Sequence, residues 1–284
     1  MIKYTYIYFI LLLLWIPRLG GQTDLSSIFG AGGLATGNAD LTSRDINSTY
    51  TNQAGLAYLE KYAFNIFSEK KFSLKELQVI GMSMALPSPV LSGVIGFKLV
   101  HFGYSDFNNQ KTGVSYSKKL FDNLAMGIQF NLLSTRIRFY GNQLSLGLGI
   151  GFQYELIDGV RVGIHLYKQP NSQINSGNYK QVNFQTGITY RPAAYLAIST
   201  SVEKDIYFTL NFKGGLEYRT HKKIFFQLGL NTNPEKYCFG AGFLFNKLKF
   251  HTAASFHPVL GWSPGFGLSF YLPEKIKDHP NECH

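Results

Sequence analysis

Between about Lys61 and Tyr271 the chain alternates large apolar side chains with small or polar ones at a period of two, the spacing that sets successive residues on opposite faces of a strand. Gln143 to Leu156 is the plainest stretch. Leu144, Leu146, Leu148, Ile150, Phe152, Tyr154 and Leu156 share one face, while Gln143, Ser145, Gly147, Gly149, Gly151, Gln153 and Glu155 share the other. The same alternation predicts strands near 61–69, 75–86, 89–104, 109–119, 122–138, 143–155, 159–168, 180–190, 194–203, 207–219, 222–231, 236–246, 247–256 and 260–271. Many run to ten residues or more, beyond the five or six usual in globular sheets and close to the 9 to 11 that cross a bilayer at a tilt. Fourteen is an even number, so a wall of these strands returns both ends of the chain to one side of a membrane. The fold class expected is therefore all-β, a closed antiparallel transmembrane barrel of about 14 strands, with a soluble β-sandwich as the alternative.

The turns sort into two sets. Lys118 to Asn123, Leu156 to Gly159, Arg191 to Ala193, Arg219 to Lys223 and Asn246-Lys247 fall on one side of the wall, assigned to the periplasm. The opposite connections face outward, and only Gln169 to Tyr179 exceeds a short turn, which excludes a large surface domain between strands. The basic connection carrying Lys70, Lys71 and Lys75 lies on that outer side. It would meet outer-membrane lipid and lipopolysaccharide, or dock an acidic protein.

Ahead of the wall, Lys3, the apolar run Tyr4 to Ile16 and the small residues before Gln22 read as a signal peptide over 1–21, an anchor helix being the alternative. Export to the outer membrane of a Gram-negative bacterium follows, and with it no nucleic acid as partner. Residues 22–60, rich in Gly, Ala, Ser, Thr and Asn, are expected to form a hatch packed inside a barrel over 61–271, or else a periplasmic arm. Residues 272–284 form a short charged tail.

Composition narrows the picture without changing it. Charged residues are 15% of the chain and aromatics 15%, with 29 glycines, and no excess of apolar residues supports helical spans. Lys plus Arg less Asp plus Glu is 27 − 17 = +10, which suits anionic lipid once nucleic acid is set aside.

The segment Gly30 to Ala39, then Asp45, then Asn52, Gln53, Ala54, Gly55, Leu56 and Ala57, followed by continuous strands, resembles the start of the long-chain fatty-acid transporter type of outer-membrane barrel. It is similar also to the PorV-type and PorQ-type barrels of type IX secretion. In both, the resemblance implies, a Gly/Ala-rich stretch ending in an Asn-Pro-Ala-Gly-Leu-Ala-like motif forms a hatch inside fourteen strands. Gln53 stands here at the proline position. The first resemblance implies a hydrophobic ligand such as a long-chain fatty acid, leaving through a lateral opening at a kinked strand. The second implies a non-enzymatic accessory role with secretion-system or assembly proteins, toward which the short outer loops tilt the reading.

No sequence motif points to catalysis: GxSxG, HExxH and the phosphate loop are all missing, and no cofactor is expected. Arg161, His165, Lys213, Glu217, Lys249 and His251 fall on the inner face by parity, where charges avoid hydrocarbon. They read either as ion pairs holding the hatch or as a cationic lumen that attracts an acidic head group. Pro264, outward in the last strand, removes a ladder donor and marks a lateral gate, a weak closing seam or a strand end. Cys238 and Cys283 are expected as separate thiols, and His279, Cys283 and His284 as no metal site.

Overall fold

A computed structural model describes residues 30–272 apart from 170–180, 207 and 222. The signal peptide over 1–21, the outer connection from Gln169 to Tyr179, the tail and its His279, Cys283 and His284 lie wholly or largely outside the described residues. Fourteen antiparallel strands close on themselves: β1 (Tyr62–Lys70), β2 (Gln78–Ser88), β3 (Gly93–Gly103), β4 (Phe107–Phe121), β5 (Leu124–Ile137), β6 (Gly141–Ile157), β7 (Val160–Gln169), β8 (Gln181–Ala193), β9 (Leu196–Asp205), β10 (Asn211–His221), β11 (Ile224–Thr232), β12 (Glu235–Phe245), β13 (Leu248–His257) and β14 (Gly261–Leu272). Each pairs with its sequence neighbours, and β1 pairs with β14 from Tyr62↔Leu272 to Glu69↔Gly265. One closed sheet replaces the two stacked sheets of a sandwich, so every interior ladder is paired and no edge is left open.

The boundaries move at places where the alternation is interrupted by turn chemistry. The second strand starts at Gln78 rather than near 75 because Lys71–Ser73 and Lys75–Leu77 are 3₁₀ turns. The third starts at Gly93 rather than 89, since Pro89 to Ser92 make a turn closed by Ser92 N–H donating to Pro89 O at 3.1 Å. The Asp158-Gly159 hairpin is as expected for that dipeptide, with Gly159 at φ +80°.

Side-chain alternation divides the wall into an apolar exterior and a polar interior. Phe130 and Leu146 stay 62% and 66% exposed, and Ile66, Met82, Leu228 and Phe266 join them in an outward belt, whereas Asn131, Gln129, Gln153 and Ser117 face inward and are buried. An apolar belt of this extent is stable only against hydrocarbon. No helix among the described residues is long and apolar enough to cross a membrane. The closed wall of fourteen strands with its outward apolar belt places the barrel in the outer membrane of a Gram-negative cell.

Inside the barrel, residues 30–60 fold as a compact hatch: a short helix α1 (Ala31–Ala35) and 3₁₀ turns over Ile46–Thr49 and Gln53–Tyr58. Helix α1 packs against β11 to β14, and the second turn packs against β3 to β6, so the hatch bridges the bore.

Candidate functional site: the hatch and its seat in the lumen

The hatch motif is held by its polar side chains. Asn52 caps the 3₁₀ turn by accepting from Ala54 N–H at 3.1 Å, and its Nδ2 donates to the carbonyls of Phe152 on β6 (3.0 Å) and Ile164 on β7 (3.3 Å). Gln53 takes the first position of the turn, where proline is readily accommodated because the N–H there has no intrahelical partner. The glutamine adds what proline cannot: its Nε2 donates to Gln129 Oε1 at 2.7 Å and lies 3.3 Å from His165 Nε2, while its carbonyl accepts from Ser117 Oγ at 2.6 Å. Ala54 and Leu56 are fully buried, and Leu56 packs with Ile46, Ala63, Ala85 and Val94. Small wall residues make the close approach possible, since a Cβ on Gly127 would lie 2.6 Å from Ala54 N.

Gln129 on β5 is the hub of this seat. Its Oε1 accepts from Gln53, from Lys98 Nζ (2.9 Å) and from Asn131 Nδ2 (3.3 Å), and its Nε2 donates to Thr49 O at 3.0 Å. Lys98, only 4% exposed on β3, also donates to Thr49 O at 3.2 Å. The wall thus reaches the hatch through a buried lysine and a buried glutamine rather than through apolar packing alone.

Two ion pairs fasten adjacent hatch residues to opposite walls. Arg44 meets Glu155 of β6 at 2.7 Å, with Arg161 of β7 3.7 Å from the same carboxylate, and Arg44 also stacks over the Tyr58 ring at 3.6 Å. Asp45 meets Lys249 of β13 at 3.2 Å while accepting from Ser43 Oγ and Asn47 N–H, both at 2.9 Å. Burial works to raise the Asp45 carboxyl, and Lys249, His251 and those hydrogen bonds outweigh it, holding the group below its ordinary range. Asp40 goes the other way: burial, with Asp45 beside it, pushes it up to about 6. A depressed acid stabilises above the ordinary carboxylate range, and a raised one loses its contribution as pH climbs through its folded value. The hatch is therefore seated most firmly in mildly acid medium. Ion conductance of the protein in a planar bilayer is expected to rise from pH 5 to 7.5, and Asp40→Asn is expected to flatten that rise; an unchanged slope in the variant would refute the assignment.

The six inner charges expected from parity all point inward, but they do not act as one group. Arg161 and Lys249 reach the hatch through the pairs above. His165 lies against Gln53, and His251 meets Phe225 edge-on, 5.1 Å between ring centres. Lys213 pairs across the wall with Glu203 of β9, and Glu217 accepts from Arg219 Nε and Gln227 Nε2, each at 3.0 Å. Lys98, Gln129, Arg44, Asp45, Glu155 and Glu203 are absent from that inner set, although the parity of β3 places Lys98 between the inward Gly96 and Val100. Cys238 is a buried free thiol facing the lumen.

Pro264 stands opposite Ala254, and the β13–β14 ladder passes through it in register. On its other side the β1 ladder ends at Gly265; beyond that point Phe72 N–H donates to Ser263 Oγ at 2.8 Å and Ser73 Oγ to Trp262 O at 3.0 Å. The proline's missing donor thus falls where pairing has already ended. Both ladders of β3 run without a shift, and the shifts among the described ladders fall near the periplasmic turns at 119/121, 155/157, 190/193 and 219/221. Among the described residues the fourteen strands close into one ring, and Pro264 opens no gap in the β13–β14 ladder. Lys70 ends β1, while Lys71 and Lys75 lie in the 3₁₀ turns of the outer connection, with Lys71 Nζ 5.6 Å from the centre of the Phe102 ring.

One sector of the interior is apolar. Tyr50 of the hatch, Phe67 of β1, Val79 of β2, and Val100 and Phe102 of β3 form a buried cluster, and the half-buried Leu77 and Phe107 extend it to the outer mouth. Two other apolar contacts, the Leu56 cluster described above and Leu34 and Ala35 against Ala253, interrupt an otherwise polar bore, and the space between α1 and the outer ends of β1, β11 and β12 is a cavity of about 20 Å³, room for a water molecule.

No protein-family model and no curated protein matches this chain. Solved structures do. The Ralstonia pickettii toluene transporter TbuX superposes with a TM-score of 0.62 at 11% identity, covering 86% of this chain and 97% of its own. The CymD monoaromatic hydrocarbon channel gives 0.63 at 11% identity over 87% and 98%, and a Pseudomonas aeruginosa FadL homologue 0.60 at 11% over 86% and 97%. At such identity the likeness is one of fold: a fourteen-stranded barrel of the fatty-acid transporter type.

Proposed function

We propose that this barrel binds small hydrophobic molecules at its outer mouth and passes them inward past the hatch without transforming them. The observation that carries the reading is the apolar sector from Leu77 and Phe107 through Phe102 to Val100, Val79, Phe67 and Tyr50, a continuous greasy lane that runs from the outer mouth to the hatch. The fold supports it, since the neighbours named above are described as a toluene transporter, a monoaromatic hydrocarbon channel and a FadL homologue. Of the two roles implied by the sequence resemblance, these neighbours favour passage of a hydrophobe over service to a secretion machine. The lane ends against Tyr50, so movement of the hatch is the step that admits a ligand. An unbroken wall leaves the lumen as the route.

Titration of the detergent-purified protein with toluene and with oleate, followed by intrinsic fluorescence, tests this. Saturable binding of either is expected, weakened about tenfold or more by Phe102→Asp, because a carboxylate in the lane loses the apolar contact and adds a desolvation penalty. A flat titration with both ligands, together with stoichiometric co-purification of exported or secretion proteins from native membranes, would reverse the reading in favour of the accessory role.

A further inference from the structure

Where the hatch meets the periplasmic mouth of the lumen, basic side chains outnumber acidic ones. Arg44 of the hatch, Arg161 of β7, Arg191 of β8 and Lys119 of β4 gather there around Glu155 of β6, four cations to one carboxylate. Register brings the wall residues together. Glu155 and Arg161 are partners across the β6–β7 ladder, and Arg161 faces Thr189 on its other side, so Arg191, the next inward residue of β8, is its diagonal neighbour. The charges of Arg44 and Arg191 both bear on Arg161. Tyr58, at the end of the hatch turn, closes the corner: the centre of its ring lies 3.6 Å from the Arg44 guanidinium carbon and 5.0 Å from Lys119 Nζ.

Glu155 leaves this group unsatisfied. It takes Arg44 at 2.7 Å but stands 3.7 Å from Arg161 Nε, beyond hydrogen-bond reach, and Arg191 pairs with no carboxylate among the described residues. The Nε atoms of all three arginines and the Tyr58 hydroxyl are buried without a hydrogen-bond partner. The corner still reaches water, since the Arg44 and Arg161 side chains keep 18% and 20% of their exposure. Three planar forks, a hydroxyl and an ammonium offer more donors than the two oxygens of one carboxylate take up, whereas a tetrahedral dianion presents oxygens to several forks at once.

We propose that this corner is an oxyanion site, taking inorganic phosphate or the phosphate monoester of a soluble periplasmic compound, and that its occupant locks the hatch by bridging Arg44 to Arg161 and Arg191. The ligand is a soluble one because the cluster lies on the inner face of a closed wall, away from lipid. The site is independent of the hydrophobe reading: it lies against β6 to β8, while the apolar lane runs along β1 to β3, and a failure of toluene and oleate to bind leaves it standing.

Calorimetric titration of the full chain in detergent with sodium phosphate, at an ionic strength held constant with sodium chloride, tests it. One phosphate per chain is expected, and Arg161→Gln and Arg191→Gln should each weaken its binding about tenfold. Lys223→Gln, which removes a positive charge from the turn between β10 and β11 on the same rim, should leave it unchanged. Glu155→Gln separates a ligand site from a mere salt bridge: with the competing carboxylate gone, phosphate should bind about threefold more tightly or better, while the unliganded hatch loosens. Hydrogen exchange over residues 53–58 should accordingly slow with phosphate in the wild type, slow most in Glu155→Gln, and stay unmoved in Arg191→Gln. Barrel formation is read from the heat-resistant band on a gel, and Arg161→Gln with Glu155→Gln carries the comparison if Arg191→Gln does not assemble. The assignment would be overturned by the absence of saturable binding to the wild type, or by protection that persists in the assembled arginine variants, as a general salt effect does. Equal protection by mixed micelles containing phosphatidylglycerol, with no phosphate added, would give the corner to a lipid head group and overturn it too.

Discussion

Gly151→Val is expected to unseat the hatch while leaving the barrel closed. Gly151 faces inward from β6, and a Cβ placed on it collides with Asn52 Oδ1, the atom that caps the hatch turn. Valine is a good strand former, so β6 itself keeps its ladder to β5 and β7. What suffers is the seat: overpacking at a tight contact typically costs 1 to 3 kcal/mol, and Asn52 also loses its grip on the Phe152 and Ile164 carbonyls. Removing a plug from a polar bore exposes a continuous aqueous path. The expected readout is ion conductance well above that of the wild type in a planar bilayer, with faster tryptic cleavage after Arg44, which in the seated hatch is paired to Glu155. Ile150→Val, one residue away on the lipid face, is the control and should do neither. A Gly151→Val protein that is as closed and as resistant as the wild type would mean that the hatch does not rest on this strand.

That glycine also shows how far a sequence can be read. The alternation of Gly147, Gly149 and Gly151 with leucine, isoleucine and phenylalanine is a one-dimensional signal, and it suffices to place the inner face, the strand and the closed wall. Period-two patterning works well here because hydrocarbon on one side and a filled lumen on the other impose opposite demands at every residue. The hatch motif was legible for a different reason, as a short run with a known likeness. What holds that motif was not legible. Arg44 and Asp45 look like any charged pair in a polar segment, and only the folded chain shows that one grips β6 and the other β13. Lys98 has the right parity, yet a lysine on an inner face reads as solvated until Thr49 O and Gln129 Oε1 are seen to accept its hydrogen bonds. The apolar lane had the same difficulty: Phe67, Val79 and Phe102 interrupt the polar inner face on three different strands, and their meeting depends on the register of β1, β2 and β3.

Gln129→Leu is expected to loosen the hatch about as much as the glycine substitution, by another physical route, and part of the loss should be recoverable. The leucine keeps the volume and the strand, but it removes the oxygen that accepts from Gln53, Lys98 and Asn131 and the amide that donates to Thr49. A buried donor left without an acceptor costs roughly 1 to 3 kcal/mol, and more when it carries charge. Lys98 is the larger part of that penalty: at 4% exposure it would retain the Thr49 carbonyl as its acceptor and have little water to replace the other. Adding Lys98→Met takes away the stranded donor and fills its place with a flexible apolar chain. The double variant should therefore be less destabilised than Gln129→Leu alone, with an interaction energy of the order of 1 to 3 kcal/mol. Hydrogen exchange of the hatch amides over residues 46–58, measured for the wild type, both single variants and the double, gives the cycle directly. Simple additivity of the two losses would show that Lys98 and Gln129 hold the hatch separately, and the picture of a single hub would fall.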